Sequence, residues 1–163
     1  MKLLIANRGE IATRIVKSCI KLDIIPCGVY SEADKNSVYV KSLNDALNIG
    51  GFSATDSYLR MDKIVNAAKK LGCSMIHPGY GFLAENLQFS ELCKKEGLVF
   101  VGPSAEVLKI SGDKLRAKDL ASRVAPVLEG KEVSKEDEAL KVAGEIGYPV
   151  ILKAARGGGG RGL

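Results

Sequence analysis

The sequence predicts an α/β fold, a parallel sheet with helices on both faces, spanning roughly residues 1–103. Three observations carry that prediction. Short apolar runs of strand length alternate with stretches whose apolar residues return every three or four positions. Helical stretches close at Gly72, Gly97 and Gly147, glycine being the residue that most readily ends a helix. Turn-forming segments follow the strand runs, which in a parallel arrangement places them at the carboxyl edge of the sheet.

Lys2 to Ala6 reads as the first strand, followed by a helix with Ile11, Ala12, Ile15, Val16, Cys19 and Leu22 at helical spacing. Cys27 to Tyr30 is the second strand and Ala46 to Ile49 a short third. Ser57 is expected to cap a helix that places Met61, Ile64, Val65, Ala68 and Leu71 on one face. Ser74 to His77 is strand again, a helix crosses Leu87, Phe89, Leu92 and Cys93, and Val99 to Gly102 is the last strand of the set.

Around Gly102-Pro-Ser the pattern changes. Ser104 is expected to cap a short helix, and Asp113 another that runs to about Val124. Ala125 to Leu128 reads as a short strand. Ser134-x-x-Asp137 resembles a capping box opening a helix with Leu140, Ala143 and Ile146 on one face. Tyr148 to Ala154 reads as a buried strand. The stretch after Val124, roughly 40 residues, is small for an independent fold and is predicted to be an incomplete domain.

Composition narrows the function classes. Apolar residues make up 46% and charged residues 26% of the 163, values that fit a globular core and argue against disorder. A net charge of +5 is basic but modest. The basic pairs Lys69-Lys70 and Lys94-Lys95 fall in the last turns of predicted helices, where cations favour the helix dipole, so nucleic acid is not the expected partner. Cys19, Cys27, Cys73 and Cys93 form no metal-ligand spacing and read as reduced core thiols of a cytoplasmic protein. The first residues carry too short an apolar run for a signal peptide, and no stretch is long enough to span a membrane.

Lys153 leads into Arg156, Gly157, Gly158, Gly159, Gly160 and Arg161. Glycines let a backbone approach an anion and turn its N–H groups toward it, while a lysine adds a point charge, so one reading is a phosphate-gripping loop. The other is a flexible tail. The cations and the lack of serine or proline favour the loop. Lys114, in Gly112-Asp-Lys, is either a solvated first-turn residue or a second cation for the same phosphate.

Ala6-Asn-Arg-Gly-Glu-Ile-Ala12 joins a strand to a helix, with Glu32 and Asp34 after the second strand, about where a dinucleotide-binding domain places its ribose acid. G-x-G-x-x-G is absent, however, which argues against a dinucleotide. Arg8 and Arg14 read as interface residues or as members of surface ion pairs, and the sequence favours the surface. The lone histidine, His77, opens His77-Pro-Gly-Tyr-Gly-Phe-Leu-Ala-Glu-Asn86. No nucleophile or second metal ligand is tied to it in the sequence, and a structural role in the turn is the favoured reading. Glu85 is either a site residue or a cap for the next helix.

These segments, with Tyr30-Ser-Glu-Ala-Asp34, Gly102-Pro and Gly147-Tyr-Pro-Val-Ile-Leu-Lys153 through Gly162, stand in the order found in biotin carboxylases, and the chain resembles that family along its whole length. Biotin carboxylases are the ATP-grasp components of acetyl-CoA, propionyl-CoA and pyruvate carboxylases. The resemblance implies a Rossmann-like domain over 1–110, preceding an ATP-grasp domain, and the truncated start of that ATP-grasp domain over 111–163. It implies a ligase in which ATP, with Mg2+, phosphorylates bicarbonate to carboxyphosphate. The carboxyl group then passes to biotin on a biotin carboxyl carrier protein or domain, for use by a carboxyltransferase subunit or domain.

Residue by residue, the resemblance implies that Lys114 and Lys153 bind ATP and that Gly157, Gly158, Gly159 and Gly160 belong to the loop that closes over its phosphates. Such a lid excludes water from a hydrolysis-prone intermediate. Tyr80, Gly81 and Glu85 are expected to line the active site, and Arg14 to lie near the interface of a homodimer. Arg156 and the stretch Ser122 to Gly130 depart from the family pattern. The resemblance also places the magnesium ligands, the base and the biotin-supporting arginine beyond residue 163, leaving neither catalytic nor metal residues in this chain and predicting no activity for it alone. Two rival readings are another ATP-grasp ligase, such as a carbamoyl-phosphate synthetase, and a non-catalytic folding or dimerisation module.

Overall fold

The computed structural model describes residues 1–153, the side chains of Lys114 and Leu115 excepted. Its contacts divide the chain into two units, Met1–Leu108 and Lys109–Leu163.

The first unit is built on five parallel strands, β1 (Lys2–Ile5), β2 (Ile25–Tyr30), β3 (Asp45–Asn48), β4 (Met75–His77) and β5 (Val99–Phe100), in the order β3-β2-β1-β4-β5. Between them run α1 (Gly9–Lys21), α2 (Val38–Lys41), α3 (Met61–Lys70) and α4 (Leu87–Lys95), with α5 (Ala105–Ser111) after β5. The α/β expectation is met. A strand in such a sheet is buried on both faces, and β1 shows it: Leu3 and Ile5 enter one apolar cluster with Ala12, Ile15, Val16, Cys19 and Tyr39. Leu4 and Ala6 enter the other, with Ile64, Val65, Ala68, Ile76, Phe89 and Cys93. All four cysteines are buried and free, as expected.

Pro26 lies inside β2, a central strand where proline removes a ladder hydrogen bond. Its place is tolerated because β3 pairing begins one residue later, at Cys27 opposite Asp45, while the Pro26 carbonyl still accepts from the Asn44 N–H at 2.8 Å. Ser57 does not cap α3. That helix starts at Met61 after Arg60, and the buried Ser57 hydroxyl instead donates to the Ser53 carbonyl at 2.6 Å. The short α2 and a 3₁₀ turn at Glu32–Asp34 carry too few residues to show a helical period in sequence.

The second unit contains α6 (Lys114–Ser122) and α7 (Glu136–Ile146). Asp113 caps α6, accepting from the Arg116 N–H at 3.1 Å. The expected capping box does not form: Lys135 precedes α7 without a side-chain cap, and Glu138, not Asp137, accepts from the Ser134 N–H at 3.0 Å and from its hydroxyl. Ala125–Leu128 and the described part of Tyr148–Ala154 are not strands. An extended segment becomes a strand only by pairing, and among the described residues of this unit none pairs.

Candidate active site

β1 and β4 are sequence-distant neighbours at the centre of the sheet, and the chain leaves them in opposite directions across it. A crevice opens at such a point, beyond the carboxyl ends of the strands, and α/β proteins bind ligands there. Here Asn7 fills it. Asn7 follows β1, is 1% exposed, and its Nδ2 donates to the Pro78 carbonyl at 2.7 Å and to the Tyr80 carbonyl at 3.0 Å. Its Oδ1 accepts from the Arg8 N–H at 2.9 Å, so the carboxamide is held at both ends. Gly79 packs against it so closely that a Cβ there would lie 2.7 Å from Asn7 Nδ2 and from Ile11 Cγ2. The position at which a dinucleotide's phosphates would approach the backbone is therefore taken by the chain's own turn.

That turn, from His77 to Asn86, exposes Tyr80, Gly81 and Glu85 and buries Pro78 and Leu83. Gly79 and Gly81 have φ of 70°, open to glycine without strain, and Phe82 also has a positive φ. His77 accepts from the Gly79 N–H through Nδ1 at 3.0 Å, and burial pushes its pKa below the ordinary value. It braces the turn as the neutral imidazole, through Nδ1. Tyr80 is 62% exposed, and its hydroxyl donates to Glu10, in the first turn of α1. That acceptor, and then its charge, raise the phenol above its usual pKa. Asn86, not Glu85, caps α4, accepting from the Phe89 N–H at 2.8 Å and leaving Glu85 exposed.

Behind the turn lies a polar cluster. Burial acts to raise the Asp34 carboxyl, but hydrogen bonds from Tyr58 at 2.7 Å, Ser31 at 3.1 Å and Arg8 at 3.3 Å outweigh it and hold it below the usual carboxylate range. Tyr58 in turn meets the Tyr39 hydroxyl at 2.9 Å, and burial raises both phenols. The cluster is an ionised carboxylate among neutral hydroxyls. Among the described residues no buried side-chain polar atom lacks a partner, and no three His, Cys, Asp or Glu side chains converge as a metal cage. The arrangement joins the start of α1, the segment after β2 and the turn after β4 through one set of polar contacts.

The sequence profile described as the N-terminal domain of biotin carboxylase matches residues 1–108, about two thirds of the chain. The chain belongs to the biotin carboxylase family. A second profile, described as the ATP binding domain of the carbamoyl-phosphate synthase L chain, matches residues 113–163. The chain is similar to biotin carboxylase 1 of Bacillus subtilis, with 48% identity over 99% of this chain and 37% of that protein. It is similar to the biotin carboxylase of Pseudomonas aeruginosa, with 48% identity over 99% of this chain and 37% of that one. Among solved structures, the biotin carboxylase domain dimer of Hydrogenobacter thermophilus 2-oxoglutarate carboxylase, in complex with MgADP, ADP and bicarbonate, matches with a TM-score of 0.92. The identity is 44%, covering 98% of this chain and 36% of that one. The chain thus spans about a third of the length of these relatives.

The site residues expected of the family are spread over both units. Tyr80, Gly81 and Glu85 come together in one exposed turn of the first unit. Arg14 lies on the exposed face of α1 and donates to the Ser18 hydroxyl one turn on. Lys114 opens α6, and Lys153 is exposed in the second unit. Gly157, Gly158, Gly159 and Gly160 lie outside the described residues. Sequence reasoning missed Asn7, whose amide between a strand and a helix gave no sign of reaching the carbonyls of residues 71 and 73 positions on. The surface ion pair read for Arg8 is present: its Nη1 meets Asp34 Oδ2 at 3.3 Å, with half of the arginine side chain exposed; its place beside the Tyr58 and Phe82 rings was not read.

Proposed function

We propose that this chain supplies the N-terminal part of an ATP-dependent biotin carboxylase, which uses ATP and bicarbonate to carboxylate biotin on a carrier protein. The observation that carries the reading is the Tyr80–Gly81 turn, braced by Asn7 at the carboxyl edge of the sheet, in a chain almost half identical over 99% of its length to a biotin carboxylase. The bicarbonate and MgADP bound by the Hydrogenobacter relative support those two substrates here.

In this reading residues 1–110 are the Rossmann-like domain and 111–163 the start of the ATP-grasp domain, a division the observed units and the matched profiles support. Lys114, Lys153 and Gly157 to Gly160 take the phosphates, with the lysines supplying charge and the glycines room. Tyr80, Gly81 and Glu85 line the side where biotin arrives. Magnesium accompanies the nucleotide, as it does the MgADP of the Hydrogenobacter relative. A carboxyl carrier and a carboxyltransferase are the partners, a homodimer approached through the Arg14 face of α1 is the assembly, and the four buried thiols suit a reducing, cytoplasmic setting.

The test is a chimera in which this chain replaces the matching third of Bacillus subtilis biotin carboxylase 1. Carboxylation of biotin that requires both ATP and bicarbonate is expected, and Lys153→Ala is expected to lower it by at least about tenfold, the loss of one charge-assisted phosphate contact. A folded, inactive chimera would refute the reading. Carbamoyl phosphate formation in place of carboxybiotin would favour the synthetase alternative.

A further inference from the structure

We propose that Arg8 is a positioning residue for the Tyr80–Gly81 turn: it caps the stacked rings of Tyr58 and Phe82, pairs with Asp34, and so holds Phe82 in the backbone conformation that sets where the turn presents itself. The functional side of the proposal rests on the reading of that turn as substrate-facing; the structural side does not.

Phe82 is where the turn needs holding. Its φ of 33° lies in the left-handed region, which a side chain this bulky rarely enters. Such a residue stays put only when its surroundings over-determine it, and these places concentrate at functional turns. The Phe82 ring lies flat against Tyr58, with centroids 5.2 Å apart and planes within 1°. Tyr58 is a fixed platform: it is 1% exposed, donates to Asp34 at 2.7 Å, meets the Tyr39 hydroxyl at 2.9 Å and accepts from the Ser31 N–H at 3.1 Å.

Arg8 closes the stack. Its guanidinium carbon lies 5.8 Å from the Tyr58 centroid and 5.9 Å from that of Phe82, so it sits at the mouth of the pair and not over one ring alone. Both distances lie within the ~6 Å reach of a cation–π contact. Its Nη1 donates to Asp34 at 3.3 Å, and that carboxylate also anchors Tyr58. One residue thus ties the segment after β2 to the turn after β4. Its neighbours add to the hold: Asn7 grips the carbonyls of Pro78 and Tyr80, and Glu10 takes the Tyr80 hydroxyl. Asn-Arg-Gly-Glu acts on the turn at backbone, ring and hydroxyl.

Amide hydrogen exchange on this chain, compared with Arg8→Met and Arg8→Lys, tests the proposal without any activity. The protected amides of the turn, Gly79, Ala84 and Asn86, report its closure, and Val99 and Val101, bonded to Ser74 and Ile76, report the sheet. In Arg8→Met the turn amides are expected to exchange about five- to tenfold faster while the sheet amides hold, and Arg8→Lys is expected to recover most of the protection by keeping a cation over the rings. Lys69→Met, which breaks the Lys69–Glu96 surface pair, is expected to leave the turn unchanged. Equal acceleration of turn and sheet in Arg8→Met would mean ordinary loss of stability and would overturn the proposal. Unchanged turn amides would overturn it too. In the chimera, Arg8→Met is expected to lower kcat with KM for ATP unchanged. Lack of turnover by the unsubstituted chimera would count against the carboxylase reading alone.

Discussion

Met1–Leu108 and Lys109–Leu163 are patterned alike in sequence, with apolar runs, helix caps and closing glycines in both, yet the two units use those patterns differently. In the first, each apolar run found a neighbour to pair with, and two clusters formed on the two faces of one sheet. In the second, Ala143 is the one apolar side chain buried among the described residues, while Leu120, Leu128, Leu140, Ile151 and Leu152 are each at least half exposed. Helices form in both, because a helix satisfies its own backbone and its caps are local. Among the described residues strands form only in the first, because a strand takes its hydrogen bonds from another segment. Apolar patterning states what could be buried; pairing decides whether it is.

The contrast breaks most visibly by truncation. Leu4→Ala, at a fully buried position where β1 meets the larger cluster, is expected to cost about 2–5 kcal/mol in chemical denaturation. Leu128→Ala removes the same atoms from a side chain 90% exposed and is expected to change stability by less than about 0.5 kcal/mol. A loss at Leu128 comparable to that at Leu4 would show that the second unit buries this side chain after all. Gly79→Ala should come next, at about 1–3 kcal/mol, since it adds a Cβ at positive φ against a carboxamide that cannot retreat without giving up two hydrogen bonds.

The smallest effect is the most specific. His77 is the chain's single histidine, and its pKa in the folded state is below the ordinary 6.5. Between those two values the unfolded chain binds the proton more readily than the folded one, so stability falls as pH drops below about 6.5 and the effect levels off once the folded-state pKa is passed. Denaturation of the first unit across that range should show the slope, and His77→Gln should remove it. A slope that survives the substitution would assign it to other groups. The Asp34 carboxyl acts at lower pH: its stabilisation is present above the ordinary 3.8 and is lost as pH falls through its depressed value.

All five strands of the first unit were legible in sequence to within two residues, the central β1 and β2 through the apolar runs that burial leaves and the edge strands through their place in the strand–helix alternation. The position of the candidate site's Pro/Gly turn, directly after β4, was legible too. Its construction was not. Arg8 meets Asp34, Tyr58 and Phe82 from 26, 50 and 74 positions away, and Asn7 meets the turn across a similar gap. Long-range polar contacts have no period, so no window of sequence displays them. The two expected strands of the second unit failed for the opposite reason: their apolar signal was clear, but the partner a strand requires is not a property of the segment itself.

The clasp at Asn7 depends on the identity of a single atom. Its Nδ2 serves two carbonyl oxygens at once, and a carboxylate of the same shape has no proton to offer either. An aspartate there would set a negative charge against two oxygens in a place almost closed to water. Such an exchange would release the turn from beneath while leaving every side chain it exposes unchanged.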